Sequence, residues 1–195
     1  MIWFTSDLHL GHNNINRLCN RPYATIDEMN EAIISNWNTW VQPEDTVYVL
    51  GDMCMGRINA SLGLVKRLAG NIYLVPGNHD RVFSGYSKTY RVGEDYNIQD
   101  WIEKYESAGM TILPENPVYT ASNGMRFQLS HFPYISEDLR DDRYNSYRPK
   151  DEGLWLIHGH VHNSWMKLDR QINVGVDVWQ FRPVSESLLL RFVTE

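Results

Sequence analysis

Residues 71–80 read NIYLVPGNHD, an apolar run that stops at a proline and is followed by a glycine and three polar residues. The run over 72–75 predicts a buried strand, and Pro76 marks its end. A polar group that is buried without a partner costs about 1–3 kcal/mol. Asn78, His79 and Asp80 are therefore expected either to pair with one another or to face something bound at the end of the strand.

The same pattern occurs twice earlier in the chain. Residues 2–4 form a short apolar run that ends in residues 5–7 (TSD), and residues 46–50 run into residues 51–52 (GD). A continuous apolar run bounded by turn residues is typical of a strand in the interior of a parallel sheet. The sequence thus predicts three buried strands, each of which presents polar side chains at its carboxyl end.

Two segments with helical periodicity separate these three strands. Residues 25–41 begin with a capping box formed by Thr25 and Glu28, and their apolar residues recur at helical spacing. Residues 59–69 predict a second helix, which ends at Gly70. The order β-α-β-α-β indicates the α/β class, with a parallel sheet covered by helices.

The second half of the chain has a different pattern. Asn123-Gly124 is a hairpin signal, and it lies between two short runs that favour strands. We therefore expect an antiparallel or mixed sheet in this half. The predicted elements are a loop or partly ordered excursion over 81–97, a helix over 100–108 and strands over 118–121, 125–130, 154–157, 172–176 and 188–193.

Composition narrows the class of protein. A length of 195 residues with 43% hydrophobic content predicts one domain over residues 1–195. A net charge of −6 without a basic stripe argues against an extended nucleic-acid surface. No apolar run approaches the roughly 18 residues of a membrane span. Two cysteines and the lack of a signal peptide favour the cytoplasm, that of the host if a phage encodes the chain.

Five segments carry side chains of the metal-ligand type. Carboxylate oxygens and neutral imidazole nitrogens bind divalent ions such as Mn²⁺, Fe²⁺ or Zn²⁺, and the absence of a cysteine cluster argues against a thiolate zinc site. In an extended segment residues i and i+2 point the same way, so two pairs can each converge on one point, which suggests more than one metal. The segments are Asp7-Leu8-His9, Gly51-Asp52, Gly77-Asn78-His79-Asp80, Ser130-His131 and Gly159-His160-Val161-His162.

The order of these motifs, D-x-H, GD, GNHD, H and GHxH, resembles the calcineurin-like metallophosphoesterase superfamily over nearly the whole chain. Residues 7–12 (DLHLGH) and 19–22 (CNRP) are most similar to its compact, single-domain bacterial and phage branch. The resemblance implies an α/β fold, a four-layer α/β/β/α sandwich with two mixed sheets. It also implies a centre of two divalent metal ions, with Mn²⁺ the first expectation and Fe²⁺, Zn²⁺ or Ni²⁺ as alternatives.

The resemblance further assigns a role to each motif. One group of residues would bind the first metal, a second group the second metal, and Asp52 would bridge the two. In such centres the ions lie about 3.5–4 Å apart and activate a bridging water for in-line attack on phosphorus. His79 would assist the leaving oxygen, and Asp80 would orient His79. The first group is Asp7, His9 and His162, and the second is Asn78, His131 and His160.

The implied activity is hydrolysis of small phosphodiesters, with 2′,3′-cyclic nucleotides as the first expectation. The alternatives are a phosphomonoesterase or a nuclease that acts on short RNA or DNA. A non-catalytic scaffold is a further alternative, but relatives of that kind replace the His of GNHD, and His79 is present. His12 and Tyr134 are candidates for substrate contact, and Arg21 either meets a phosphate oxygen or is a solvated surface arginine. The expected partner is a small phosphodiester or a nucleotide.

Overall fold

The first sheet is built on the three strands that the sequence predicts, in a computed structural model that describes residues 1–93, 95–135 and 143–194. Three central strands are parallel and in register, with Ile2 opposite Thr46 and Thr46 opposite Asn71. A fourth parallel strand and one antiparallel strand complete the sheet in the order β10-β1-β2-β3-β4. The strands are β1 (Ile2–Thr5), β2 (Thr46–Leu50), β3 (Asn71–Val75), β4 (Met110–Ile112) and β10 (Val184–Ser185).

The second sheet is also mixed. Its order is β5-β6-β7-β9-β8, with a parallel centre and an antiparallel strand at each edge. The hairpin predicted around Asn123-Gly124 is confirmed, because it joins the antiparallel pair of β5 and β6. The strands are β5 (Val118–Thr120), β6 (Arg126–Leu129), β7 (Trp155–His158), β8 (Lys167–Leu168) and β9 (Gln171–Asn173).

The helices lie between or after the strands. The predicted N-cap of the longest helix is confirmed, since Thr25 Oγ1 accepts from the Glu28 N–H at 3.1 Å. Glu28 Oε2 accepts from the Ala24 N–H at 2.9 Å, one residue before the N–H that a capping box uses. None of the helices in the described ranges is long and apolar enough to cross a membrane. The helices are α1 (Ile15–Leu18), α2 (Ile26–Trp40), α3 (Ile58–Val65), α4 (Tyr86–Tyr90), α5 (Ile98–Ser107) and α6 (Glu186–Thr194), with 3₁₀ turns at Asn145–Tyr147 and Val176–Val178.

Alternate residues of the central strands enter two different cores. Val47 and Val49 of β2 belong to the cluster that includes α2 and α3, whereas Leu50 of the same strand packs with residues of the second sheet. The two sheets touch directly at Phe4 and Tyr119, whose ring centroids are 5.3 Å apart. Both faces of the first sheet are therefore buried, as its continuous apolar strands predict.

One prediction of secondary structure is wrong. Residues 188–193 form part of the helix α6 rather than a strand, and Leu189 on that helix is buried in the core shared by the two sheets. A short apolar run does not by itself distinguish a strand from a buried helix, which is why the pattern misled. The predicted loop over 81–97 also contains the short helix α4.

Candidate active site

The polar motifs of the sequence meet where the strands of the two sheets end. Backbone pairing continues beyond the first two strands, because the Asp7 N–H donates to the Gly51 carbonyl at 3.1 Å and the His9 N–H donates to the Asp52 carbonyl at 3.0 Å. A bridge between Ser6 and Gly175 connects the ends of the two sheets. The residues that follow the strands are Asp7 after β1, Asp52 after β2, Asn78 after β3, His131 after β6, and His160 and His162 after β7.

The structure brings Asp7, His9 and His162 together as one set of potential ligands. One ligand atom from each lies within 4.8 Å of the other two. Asp7 and His9 are buried, and the rings of His9 and His162 are stacked with centroids 5.1 Å apart. This is the group that the resemblance assigns to the first metal.

A second set of potential ligands lies beside the first. His131 Nε2 is 3.0 Å from Asn78 Oδ1 and 3.1 Å from His160 Nδ1. Asp7, Asp52 and His131 also place ligand atoms within 4.8 Å of one another. The group assigned to the second metal is therefore adjacent to the first group.

Asp52 lies between the two sets. Its Oδ2 is 3.5 Å from His9 Nε2 in the first set and 3.5 Å from His131 Nε2 in the second. Its Oδ1 accepts the His79 N–H at 2.9 Å. Burial opposes ionisation of Asp52, but the imidazoles of His131 and His79, together with the His79 N–H, outweigh it and lower the pKa of the carboxyl. An ionised Asp52 can thus offer oxygen to both sets.

Unpaired buried atoms show that these residues fit a cation. Asp7 Oδ1 and His9 Nε2 are buried and have no hydrogen-bond partner among the described residues. Burial lowers the pKa of His9 and of His160, so both imidazoles are held neutral, which is the form that ligates metal. A divalent ion would satisfy groups that otherwise cost free energy as unpaired polar atoms.

The ligand residues reach their positions through strained backbone. Asp7, His9, Asp52, His160 and His162 have φ values of 57, 53, 56, 73 and 48°. Left-handed conformations are uncommon for residues other than glycine, and they concentrate at functional sites. Extended segments were predicted at Asp7–His9 and His160–His162, and this prediction is wrong. Asp7 and His9 still converge on one set, whereas His162 joins that set and His160 lies beside His131 in the other.

Glycines in the motifs allow backbone to pack against the ligand carboxylates. A Cβ at Gly159 would lie 1.8 Å from Ser6 Oγ and 2.5 Å from Asp7 Oδ2, and a Cβ at Gly77 would lie 2.4 Å from Asp52 Oδ1. The same close approach lets the His160 N–H donate to Asp7 Oδ2 at 2.9 Å. The glycines of GNHD and GHxH are thus required by space.

The role predicted for Asp80 is corrected by its contacts. Its carboxylate accepts the backbone N–H groups of Asp52 at 2.8 Å, Met53 at 3.1 Å and Gly77 at 2.9 Å. Burial, with the charge of Asp52, raises the pKa of Asp80 to about 7. Asp80 therefore ties the loop after β2 to the loop after β3, and in the described residues the side chain of His79 bonds to Tyr90 instead.

Arg21 is neither solvated nor free to meet a phosphate. Its guanidinium is buried and pairs with both oxygens of Asp177 at 2.7 and 2.8 Å. It also donates to the backbone carbonyls of Asp7 at 2.7 Å and Leu8 at 3.1 Å. Arg21 thus supports the backbone of the first ligand segment, and the prediction of substrate contact is wrong.

The two other candidates for substrate contact have different surroundings. The Tyr134 hydroxyl donates to the Leu154 carbonyl at 3.1 Å, so this end of the side chain is tied to the protein, and substrate contact by Tyr134 stays a prediction. His12 lines a cavity of about 520 Å³ together with His9, His79 and His162. Its Nδ1 is buried and has no hydrogen-bond partner in the described part of the chain. His12 therefore faces the site.

Sequence reasoning missed Asp177, which contacts a predicted ligand. Asp177 Oδ2 is 3.4 Å from Nδ1 of His162. Burial lowers the pKa of His162, but the charge of Asp7 and the contact with Asp177 outweigh burial and raise this pKa to about 11. A carboxylate on one imidazole nitrogen orients the ring for ligation through the other. Asp177 stands four residues after β9, so the pattern of a polar residue beyond a buried strand could have revealed it.

The sheets, the paired ligand sets and the motif order define a calcineurin-like phosphoesterase. The sequence matches the calcineurin-like phosphoesterase family over residues 1–179, and the chain belongs to that family. It is similar to the gene 66 protein of Mycobacterium phage D29, with 34% identity over 91% of this chain and 88% of the phage protein. An uncharacterized protein of Methanocaldococcus jannaschii is 30% identical over 98% of this chain and 90% of the archaeal protein.

A solved structure supports the fold independently. The crystal structure of a protein of unknown function from Aquifex aeolicus has a TM-score of 0.70 and 27% identity, covering 98% of this chain and 98% of that protein. The expected α/β fold with two mixed sheets is confirmed. The chain is accordingly a metal-dependent phosphoester hydrolase of a compact type found in phage and archaea.

Proposed function

We propose that the protein hydrolyses small phosphodiesters at a centre of two divalent ions, with Mn²⁺ as the first candidate metal and 2′,3′-cyclic nucleotides as the first candidate substrates. The observation that carries the proposal is the position of Asp52. Its Oδ2 lies 3.5 Å from an imidazole of each ligand set. A carboxylate between two sets of donors is suited to hold two cations at once.

Each candidate ligand is assigned to one of the two ions, except Asp52, which is assigned to both. Asp7, His9 and His162 would hold the first ion, Asn78, His131 and His160 the second, and Asp52 both. When bound, the ions supply positive charge that stabilises the phosphoryl oxygens and activates water. The buried carboxylates and the hydrogen bonds of Asp80 fix the ligands before substrate arrives, which limits reorganisation during the reaction.

His79 is the residue proposed to act on the leaving group. Its Nε2 is 3.9 Å from Asp52 Oδ2, and about a quarter of its side chain (27%) is exposed. It also lines the cavity that the ligand residues His9 and His162 line. An imidazole in this position reaches a bound phosphoester from the solvent side and can donate a proton to the departing oxygen.

The size of the site favours a small substrate. The cavity of about 520 Å³ falls in the range of small-molecule sites. A net charge of −6 offers little attraction to a long polyanion. The two cysteines are free and buried, as suits a reducing compartment, and the cytoplasm is the proposed location.

A substrate panel tests the proposal. Chelator-treated protein would be reloaded with Mn²⁺ and assayed on 2′,3′-cyclic AMP, bis-p-nitrophenyl phosphate, p-nitrophenyl phosphate and a short labelled RNA. We expect turnover of both diesters, little turnover of the monoester and none after chelation. Preference for the monoester or for RNA would contradict the diesterase proposal, and inactivity on the whole panel would favour a scaffold.

Substitution of His79 by alanine tests its role directly. We expect His79→Ala to retain the metal content of the wild type and to lower kcat on 2′,3′-cyclic AMP by about 10²–10⁴-fold, because a positioned acid is lost. Elemental analysis of the purified variant accompanies the kinetics. Loss of metal from His79→Ala would make His79 a ligand and overturn the assignment.

A further inference from the structure

The imidazole of His79 is contacted at both of its nitrogens. Nε2 faces the ligand centre, 3.9 Å from Asp52 Oδ2. Nδ1 is hydrogen-bonded to the hydroxyl of Tyr90, and the two ring centroids are 5.9 Å apart. The phenol therefore contacts the ring at the nitrogen that does not face Asp52, and its hydroxyl also lies within hydrogen-bonding reach of the candidate ligand Asn78.

Tyr90 is fixed by a group of aromatic residues. It lies at the end of α4, where its ring is 4.5 Å from the ring of Tyr86. Tyr86 stacks on Tyr96 at 5.7 Å, and the Tyr96 hydroxyl donates to the Arg81 carbonyl, two residues beyond His79. These contacts connect the helix that carries Tyr90 to the loop that carries His79.

We propose that Tyr90 is a positioning residue that orients the imidazole of His79 toward the leaving oxygen of the substrate. This inference rests on the proposed function of His79 as the group that assists departure. It assigns to Tyr90 the part that sequence reasoning gave to Asp80, whose carboxylate is occupied by three backbone N–H groups.

The chemistry of a phenol suits this part. A neutral hydroxyl can accept a hydrogen bond from an Nδ1–H or donate one to a bare Nδ1, so the contact persists in either protonation form of the ring. In the proposed step the imidazolium of His79 carries hydrogen on both nitrogens, the bond from phosphorus to the leaving oxygen breaks, and that oxygen takes the proton from Nε2. The neutral imidazole that remains keeps its hydrogen on Nδ1 and donates a hydrogen bond from it to the Tyr90 hydroxyl. Tyr90 orients the ring without adding a negative charge beside the phosphate.

The test is a double-mutant cycle with two leaving groups. Tyr90→Phe keeps the ring and removes the hydroxyl, and Tyr86→Phe on the same helix is the matched control. Because residues that orient a functional imidazole typically contribute 10–100-fold, we expect Tyr90→Phe to lower kcat on 2′,3′-cyclic AMP by about 10–100-fold. KM and metal content are expected to stay at the wild-type values, and Tyr86→Phe is expected to keep the wild-type kcat.

Two comparisons separate positioning from a structural effect. On bis-p-nitrophenyl phosphate, whose leaving group departs without a proton, Tyr90→Phe should lower kcat by a smaller factor than on the cyclic nucleotide. In the His79→Ala background, Tyr90→Phe should cause no further loss, since the hydroxyl acts through the imidazole. An unchanged kcat in Tyr90→Phe would overturn the inference. So would a loss of kcat that is equal on both substrates and adds to the loss caused by His79→Ala. If His79→Ala itself leaves kcat unchanged, the proposed role of His79 fails as well.

Discussion

Two aspartates flank the same strand and have opposite environments. Asp45 precedes β2, and its carboxylate accepts the Gln42 N–H at 3.0 Å and Trp3 Nε1–H at 2.9 Å and also pairs with the amino terminus. Asp52 follows β2, and one of its oxygens faces the imidazoles of His9, His79 and His131 at 3.5–3.9 Å. The carboxylate of Asp45 is satisfied by donors from the chain itself, whereas two of the three imidazoles around Asp52, those of His9 and His131, belong to the candidate ligand sets.

The backbone differs in the same way at the two ends of the strand. Asp52 has a φ of 56°, and left-handed residues also follow β1 and β7. Asp45 is not among the residues of positive φ in the described ranges. Strain of this kind persists where the surrounding structure holds it in place, as Asp80 does for the loop of Asp52. The amino end of β2 therefore stabilises the fold, and the carboxyl end arranges the candidate ligands.

The largest effect is expected from Asp52→Asn. An amide is a weaker metal ligand than a carboxylate and carries no charge, so we expect kcat to fall by about 10³-fold or more as several kcal/mol of electrostatic stabilisation are lost. The free energy of unfolding of the metal-free protein should fall as well, because the pKa of Asp52 is lowered in the folded chain and its charge therefore contributes stability there. Kinetics with Mn²⁺ and urea unfolding in chelator measure the two quantities.

Thermal unfolding with and without Mn²⁺ provides the control for Asp52→Asn. The wild type should melt at a higher temperature with the ion, because a ligand at 100 times its Kd stabilises the folded state by about 2.7 kcal/mol. Asp52→Asn should lose most of that increment. A variant that kept the full increment and lost only kcat would show that Asp52 acts on the substrate rather than on the ions.

A smaller effect, on stability and not on turnover, is expected from Asp45→Asn. Trp3 and Gln42 both donate to Oδ2, where an amide oxygen can replace the carboxylate, although it is a weaker acceptor because it carries no charge. The amide NH₂ group then faces the amino terminus in place of Oδ1, so that charged pairing is lost, and the free energy of unfolding should fall by about 1–3 kcal/mol. In the folded protein kcat and the stabilisation by Mn²⁺ should match the wild type. A large loss of kcat in Asp45→Asn at a temperature where the variant is fully folded would break the contrast between the two ends of the strand.

Much of the fold follows from local pattern. The runs at 46–50 and 71–75 predict β2 and β3 with their observed bounds, and the capping box predicts the start of α2. A long amphipathic helix and a continuous buried strand each depend mainly on their own residues. By contrast, α6 and the two-residue strands β8 and β10 depend on what packs beside them, which the sequence alone does not display.

The same distinction between local pattern and distant contacts applies to the site. Residue types and motif order are sufficient to select Asp7, His9, Asp52 and the other ligand candidates, because ligation depends on the chemistry of each side chain. Asp177, Tyr90 and the actual partners of Asp80 and Arg21 depend on contacts between distant segments, such as the 156 residues that separate Arg21 from Asp177. Groups that support the ligands are therefore the part that required the structure.

The smallest expected effect concerns how Asp45 responds to acid. The Gln42 N–H, with the amino terminus and Trp3, lowers the pKa of Asp45 from its ordinary 3.8 to about 2 in the folded chain. A lowered folded pKa gives stability that is present above the unfolded pKa and is lost as the pH falls through the folded one. The difference in unfolding free energy between wild type and Asp45→Asn, both free of metal, should therefore be smaller at about pH 3 than at about pH 5. Urea unfolding at the two pH values measures this difference in free energy. An equal difference at both pH values would mean that the charge of Asp45 does not stabilise the amino end of β2. Hydrogen bonds that the ionised and the protonated carboxyl have in common would then do so.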